Sequence, residues 1–270
     1  MKRCQIAIAH AASSLLNMIR EMMGKDLELK RMTKTATLLC ECGFKSPALF
    51  NDLANRCIRT QHEDGGWVAI VDTMWNTRFL SLLDVSLYGQ LIERGEKYLN
   101  DNTSAMGLWG RSKRDFDRIP VSGIMLSRLQ NMVSVERMMG LERLWLKEFG
   151  SLTYKAAYTL MAFCDNNYVP LQTDLIVKTI RWIEENQRED GSFGPWKNHP
   201  VASDTYCTAI ALLGMLTYPQ FLDRSSIVRA SDWLLKTQLS SGVWPFHEIE
   251  DGGSWALRAL VESKRQGFIA

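Results

Sequence analysis

The chain has 270 residues, 46% of them hydrophobic and 23% charged, so it is long enough to bury a large core and lacks the composition of a disordered protein. Its net charge of +2 is small, and its basic residues are scattered among acidic ones, which argues against a nucleic acid partner. The six cysteines follow no metal-binding spacing and lie mostly in apolar stretches, which favours reduced thiols and a cytoplasmic location.

The N-terminal stretch predicts an amphipathic helix rather than a secretory signal. Lys2 and Arg3 precede an apolar run, as they would in a signal, but the apolar pattern continues through Leu15 and Ile19 into charged residues. No run of about 18 uncharged apolar residues occurs in the chain, so we expect no transmembrane segment.

A short pattern then recurs along the chain. In RTQHEDGGWVA, ENQREDGSFGPW and LLKTQLSSGVWPF, a Gln is followed after three residues by Gly, one further residue and an aromatic residue; in YLNDNTSAMGLWG, Thr103 replaces the Gln. The anchors at positions 61, 103, 187 and 238 are 42, 84 and 51 residues apart, so the middle interval hides a unit, LWLKEFGSLTY. We predict that Gly and the aromatic residue end one helix and fasten the turn to its neighbour.

Each repeat contains two helices of different character. The helix before the turn is amphipathic, as in QTDLIVKTIRWIEENQ, whereas the helix after it is apolar on most sides, as in VASDTYCTAIALLGML. Six apolar helices therefore alternate with six amphipathic ones. Because an apolar helix has to be buried, we predict an all-α fold, a six-fold α/α toroid (alpha-alpha barrel) of helical hairpin repeats, formed by residues 1–270 as a single domain.

These repeats resemble the QW repeat of the terpene cyclase and protein prenyltransferase superfamily over about residues 50–260. The resemblance implies a barrel like that of the class II terpene cyclases, similar to squalene-hopene cyclase, with a central apolar cavity that accepts an isoprenoid. It also implies an isomerase or lyase type of reaction. A fold does not determine a reaction, so the function has to come from the residues around the cavity.

Acidic residues recur at one level of the repeats, just before or at the start of the apolar helices. Asp72 and Asp204 are explained by helix capping. Asp115 and Asp117 precede Pro120, which suits the first turn of a helix, so both are predicted to lie in the loop beyond the cap.

Class II terpene cyclases carry Asp, any residue, Asp, Asp at a similar place, and the middle Asp protonates an alkene or epoxide. The resemblance therefore implies Asp117 as the catalytic acid and Asp115 as its partner. Arg118 occupies the last position of the pattern, where it would stabilise the Asp117 carboxylate unless it points away and binds a substrate group such as a diphosphate. A purely structural pair of loop carboxylates is the alternative.

Aromatic residues on the apolar helices are candidates for substrate binding because their faces can stabilise a carbocation, although core packing explains such pairs equally well. The candidates, with the two aromatic residues closest to the acidic loop, are Trp75, Phe79, Trp109, Phe116, Tyr154, Tyr158, Tyr206 and Trp255.

Neither a metal nor another cofactor is expected. There is no DDxxD stretch to bind magnesium, which would matter only for a diphosphate substrate, and His199 and His247 lack the convergent partners that zinc requires. Two alternatives to a cyclase acting on a small isoprenoid remain open. One is a non-catalytic toroid that binds a peptide or lipid in a larger assembly, with a protein partner or peripheral membrane contact; the other is a prenyltransferase-like subunit.

Overall fold

The computed structural model describes residues 2–25, 27–112, 114–115 and 117–270, and these residues contain no β-strand. Their α-helices are α1 (Lys2–Gly24), α2 (Leu29–Glu41), α3 (Pro47–Thr60), α4 (Ile70–Leu83), α5 (Val85–Asp101), α6 (Ile119–Arg128), α7 (Val135–Lys147), α8 (Thr153–Asp165), α9 (Leu175–Glu185), α10 (Thr205–Thr217), α11 (Arg224–Thr237) and α12 (Ile249–Arg265). The all-α fold class predicted from the sequence is confirmed.

The even-numbered helices, α2 to α12, are more deeply buried than the odd-numbered helices. In α10 only Tyr206 and Thr217 are not buried, whereas the preceding α9 buries a single stripe, Leu175, Thr179, Ile180 and Ile183. This contrast follows from the apolar residues, which surround α10 but occupy one side of α9. The predicted alternation of apolar and amphipathic helices is therefore seen in the structure.

The chain divides into two compact units. One unit contains residues 16–141, and in it α4 packs against α2, α5 and α6. The other contains residues 1–15 and 142–270, and in it α10 packs against both α8 and α12. In each unit, therefore, successive even-numbered helices are neighbours, as expected for one wall of buried helices. The closed six-fold ring and the single domain stay predictions.

The turn before an even-numbered helix is held by a glutamine side chain. The Nε2 group of Gln187 donates to the carbonyl oxygen of Gly191 in its own turn at 3.0 Å and to that of Ser226 in α11 at 2.8 Å. The amides of Gln61 and Gln238 make the same pair of bonds, to Gly65 and Leu91 and to Gly242 and Ala7 respectively. Each amide thus joins its own turn to the next odd-numbered helix, which for Gln238 is α1.

Close packing against the next helix explains why the turn contains a glycine. Gly191 has a φ of 90°, a conformation that other residues rarely adopt, and a Cβ placed on it would lie 2.5 Å from the carbonyl oxygen of Arg229 in α11. The turn can therefore approach α11 this closely only if it has a glycine at this position.

The aromatic residue of the turn connects it to the following helix. Its backbone N–H donates to a hydroxyl group on the fourth residue of that helix, in the pairs Trp67 with Thr73, Trp109 with Ser122 and Phe193 with Thr208, at 2.9, 2.9 and 3.0 Å. These bonds set where the even-numbered helix begins relative to the turn. Any side chain in its first turn is positioned accordingly.

The described residues contain no helix that is both long and apolar enough to cross a membrane. All six cysteines are free thiols. Burial raises the pKa of the Cys57 thiol to about 12, so this residue remains a protonated, apolar group in the core.

We predict that Gln187→Ala destabilises the protein by about 2 kcal/mol, because Gln187 is buried and its loss leaves the Gly191 and Ser226 carbonyl groups without their donor. Urea unfolding followed by circular dichroism measures the change. The control is Gln90→Ala at an exposed position of α5, which we expect to change the free energy of unfolding by less than about 0.5 kcal/mol. Equal effects of the two substitutions would contradict the role of the buried amide.

Candidate functional site

The acidic loop before α6 contains a carboxylate and guanidinium pair. The Nε atom of Arg118 lies 2.7 Å from each carboxylate oxygen of Asp115. This hydrogen bond lowers the pKa of Asp115 below its ordinary value. The Asp115 side chain remains 31% exposed and the Arg118 side chain 47% exposed. Asp115 is therefore held in its ionised form and cannot be the residue that donates a proton at neutral pH.

Asp117 is held differently. Its backbone has a φ of 47°, in the left-handed region, which costs an aspartate about 1 kcal/mol. The Ser104 hydroxyl donates to its Oδ1 atom in a short hydrogen bond. The same hydroxyl oxygen accepts from the backbone N–H groups of Met106 and Leu108 at 3.1 and 3.3 Å, so its own proton is directed to Asp117.

Arg118 directly follows Asp117 in the sequence, where its positive charge would stabilise an Asp117 carboxylate. In the structure the Arg118 guanidinium is engaged with Asp115, while its backbone N–H donates to the Trp109 carbonyl oxygen at 2.9 Å. The described contacts of Asp117 are thus with a neutral hydroxyl group. The catalytic role of Asp117, with Asp115 as its partner, stays a prediction. Phe116, also predicted at this site, lies outside the described residues.

Four of the predicted aromatic residues come together in the unit of residues 1–15 and 142–270. The Tyr158 and Tyr206 hydroxyl groups are 2.7 Å apart, and burial raises the pKa of Tyr206 well above its ordinary value. Tyr154 packs edge-on against Tyr206, and Trp255 against Tyr158, at centroid distances of 6.2 and 6.1 Å. These four side chains, from α8, α10 and α12, form what we call the aromatic cluster.

Sequence reasoning missed Phe246, whose ring stacks on Tyr206 with centroids 5.6 Å apart and an interplanar angle of 13°. Phe246 lies in the loop before α12, where no helical spacing marks it, and only its place two residues after the Trp244 of the repeat indicates it. Tyr206 and Phe246 are each partly exposed.

The three predicted aromatic residues in the other unit are more deeply enclosed. Trp75 is 2% exposed, and the fully buried Phe79 packs edge-on against Phe50 at 5.8 Å. Trp109 is fully buried and donates from its indole nitrogen to the Leu99 carbonyl oxygen at 2.9 Å. The Lys34 ammonium group lies over the Trp75 ring at 5.5 Å from its centroid, and the Arg137 guanidinium group lies over the Trp109 ring at 4.8 Å. The role of all three rings in substrate binding stays a prediction.

The two remaining rim acids differ in role. Asp204 is the N-cap of α10 and accepts from the Cys207 N–H at 2.6 Å, as predicted. Asp72 is not the N-cap residue of α4, which is Ala69, but it lies in the first turn of that helix, where its carboxylate complements the helix dipole. Burial raises the pKa of the Asp72 carboxyl, whereas Lys30 lowers it.

Asp72 lines a cavity of about 240 Å³ within the unit of residues 16–141. Other side chains around this cavity include Glu28, Lys30, Trp67 and Asn76. Sequence reasoning missed Asn76 because it stands inside the apolar helix sequence TMWNT. Its one visible signal is its place four residues after Asp72, on the same side of α4.

The described residues contain no group of three His, Cys, Asp or Glu side chains arranged to hold a metal ion. The His199 Nδ1 atom accepts from the Val201 N–H at 3.1 Å, and its ring packs edge-on against Trp196 at 4.2 Å. The His247 ring packs against Phe246 at 4.1 Å. Each of these histidines thus packs against a neighbouring aromatic ring.

The class of protein whose fold this chain shares is that of the type II terpene cyclases. The type II terpene cyclase MstE from Scytonema, in a variant bound to geranylgeranyl dihydroxybenzoate as substrate, matches with a TM-score of 0.74 and 14% identity over 98% of both chains. Another MstE variant, bound to merosterolic acid A as product, matches with a TM-score of 0.74 and 13% identity over 98% of both chains.

A protein from Actinoplanes is equally similar, with a TM-score of 0.74 and 15% identity over 97% of this chain and 99% of that one. An α-amylase from Clostridium perfringens matches more weakly, with a TM-score of 0.53 and 10% identity over 85% and 86% of the two chains. No protein-family model matches the sequence, and none of the curated proteins matches it. At these identities the likeness establishes the fold alone.

We predict that Arg118→Gln raises the pKa of Asp115 toward its ordinary value, because the guanidinium hydrogen bond is the largest cause of the lowered value. Carboxyl ¹³C NMR titration measures it. A lowered native pKa stabilises the fold above the pKa of the unfolded chain, and this contribution is lost as pH falls through the native pKa. Arg114→Gln, which removes a neighbouring exposed arginine, should leave the Asp115 titration unchanged. A shift of equal size in both variants would contradict the pairing.

Proposed function

We propose that this chain is an enzyme of the type II terpene cyclase kind that cyclises an isoprenoid by proton transfer to one of its double bonds or to an epoxide. The observation that carries the proposal is the end-to-end likeness, over 98% of both chains, to a terpene cyclase bound to a prenylated substrate. The acidic loop before α6 and the aromatic cluster support it, since proton-initiated cyclisation needs an acid and faces that stabilise a cation.

Asp117 is the proposed proton donor. The proton leaves its Oδ2 atom and forms a C–H bond at one alkene carbon, the π bond breaks, and the positive charge moves to the other carbon. The Ser104 hydroxyl stabilises the carboxylate that remains, because it already donates to Oδ1. Asp115, kept ionised by Arg118, is the proposed partner of Asp117 in the acidic loop.

Aromatic side chains are the proposed partners of the cation. Tyrosine and tryptophan faces attract a positive charge, by roughly 2 kcal/mol or more where water is excluded. The cation then closes a ring by attack of a second double bond, and final loss of a proton gives the product. Because atoms are only rearranged, the reaction needs neither a redox cofactor nor a metal, and magnesium would matter only for a diphosphate head group.

We predict that Asp117→Asn lowers the rate of cyclisation at least about 100-fold, because asparagine keeps the shape of the side chain but has no acidic proton. Geranylgeranyl dihydroxybenzoate and geranylgeranyl diphosphate serve as substrates, with products detected by mass spectrometry. Asp101→Asn, at an exposed position of α5, is the control and should keep full activity. Circular dichroism should show unchanged helix content in both variants.

Unchanged turnover in Asp117→Asn would contradict the assignment of Asp117 as the catalytic acid. If the unmodified protein converts neither substrate, the non-catalytic ring that binds a lipid or peptide becomes the better interpretation. Native mass spectrometry then separates a retained hydrophobic molecule from a bound protein partner. Stoichiometric zinc in the purified protein would instead favour a prenyltransferase-like subunit.

A second prediction tests the aromatic cluster. Tyr206→Phe keeps the ring and should retain activity within about threefold, whereas Tyr206→Leu removes the ring face and should lower the rate about tenfold or more. The matched pair at Tyr218, Tyr218→Phe and Tyr218→Leu, provides the control. Equal activity of the two Tyr206 variants would show that the ring does not stabilise the cation.

A further inference from the structure

The cavity bounded by Asp72 and Asn76 has features that the cyclisation chemistry leaves unused. Its volume of about 240 Å³ is too small for a whole prenylated substrate, because pockets that enclose such ligands usually have about 300–1,000 Å³. It lies where the first turns of α2 and α4 meet the last turn of α3. A cavity of this size suits a compact group at one end of a longer molecule.

Asn76 is the unusual residue of this cavity. Its side chain is completely buried, and its Oδ1 atom accepts a hydrogen bond of 2.7 Å from the Thr33 hydroxyl. The Nδ2 group is buried and has no hydrogen-bond partner among the described residues. An unsatisfied amide is unfavourable in a folded core, and an apolar residue of the same size would avoid it, so its presence points to a ligand that completes the hydrogen bonding.

Asp72 provides the complementary group. It precedes Asn76 by one helical turn and lines the same cavity, so a carboxylate acceptor and an amide donor lie on one side of α4. Burial raises the pKa of the Asp72 carboxyl, as expected of a carboxylate that has partly lost its water. The two side chains together match a group that both donates and accepts a hydrogen bond.

The charges around the cavity decide the class of ligand. Lys30 lies 3.5 Å from Glu28, so its ammonium group is already balanced at the mouth of the cavity. With Asp72 and Arg56 the lining has two acidic and two basic side chains. A diphosphate would bring two or more negative charges next to Asp72 without a matching surplus of cations. A neutral group meets no such repulsion.

We propose that this cavity binds the hydroxyl head group of a neutral isoprenoid alcohol or phenol. Asp72 accepts a hydrogen bond from the O–H group of the ligand, and Asn76 donates a hydrogen bond to the oxygen of the same group. The proposal rests on the proposed function in one respect, namely that the rest of the ligand is an isoprenoid. It adds a substrate class, hydroxyl-bearing and uncharged, which neither the fold nor the acidic loop specifies.

The experiment uses three soluble probes of the same chain length: geraniol, its methyl ether and the hydrocarbon myrcene. The ether keeps the oxygen acceptor but has no O–H group, and myrcene has neither. Isothermal titration calorimetry on the full chain should give geraniol an affinity roughly 10-fold or more above that of the ether, because its O–H group donates to a carboxylate. Equal affinities for geraniol and the ether would overturn the proposal.

Two variants test which residues discriminate. Asp72→Asn, on a partly exposed side chain, should reduce the preference for geraniol to about threefold or less, whereas Asp52→Asn on an exposed part of α3 should leave it unchanged. The double variant Thr33→Val, Asn76→Leu replaces both hydrogen-bonding partners by apolar groups of similar shape. It should melt at the same temperature as the unmodified protein or higher, while geraniol binding weakens to the level of the ether.

A double variant that melts at a markedly lower temperature and still prefers geraniol would assign Asn76 a purely structural role and overturn its part in the proposal. Failure of the subsite and failure of the proposed function remain distinguishable, because binding is measured without turnover. A geraniol preference with no cyclisation of any polyprenyl substrate supports the cavity and removes the cyclase function. Cyclisation without a preference for geraniol supports the cyclase function and overturns the proposed cavity.

Discussion

The structure depends on one hydrogen-bonding group, the side-chain amide that follows three of the odd-numbered helices. It donates from one nitrogen to two carbonyl oxygens, one in its own turn and one in the next odd-numbered helix. In two of these turns, those of Gln61 and Gln187, the aromatic residue also donates from its backbone to a hydroxyl on the fourth residue of the next helix. Trp109 makes the same bond to Ser122 in the repeat where Thr103 replaces the glutamine. These bonds position the start of the buried helices.

The same location carries different chemistry in different repeats. At the start of α6, the Asp115 carboxylate pairs with a guanidinium group and the Asp117 carboxyl accepts a hydrogen bond from a hydroxyl group, so two aspartates two residues apart have unlike environments. At the start of α4, a carboxylate faces an amide one turn away, and at the start of α10 the aspartate is used for capping alone. The scaffold therefore repeats a location for polar groups, and the side chains at each location determine its hydrogen bonds and charge.

Much of the fold could be predicted because the relevant signals are local. The three-and-four spacing of apolar residues in α9, and its absence in α10, followed directly from side-chain periodicity, and the cap at Asp204 followed from its place before a helix. The partner of Arg118 could not be predicted in this way. It contacts Asp115, three residues earlier, across a left-handed residue, Asp117, and residue types alone do not specify such a local backbone geometry.

Two site residues were hidden from the sequence for opposite reasons. Asn76 stands in a helix that is otherwise apolar, where one polar residue looks like a tolerated exception, and its missing partner becomes visible only when the surrounding atoms are placed. Phe246 stands in a loop, where no periodicity distinguishes a ring that stacks on Tyr206 from a ring on the surface. Both required contacts between residues that are not neighbours in sequence.

The bond from Gln238 to Ala7 joins residues 231 positions apart in the chain. Residues 1–15 belong to the unit whose other members are residues 142–270, whereas residues 16–141 form the other unit without interruption. Bringing the first half of α1 to the last glutamine turn closes a long loop, which costs more chain entropy and proceeds more slowly than pairing between nearby segments. We therefore expect the contiguous unit to form before the discontinuous one is complete.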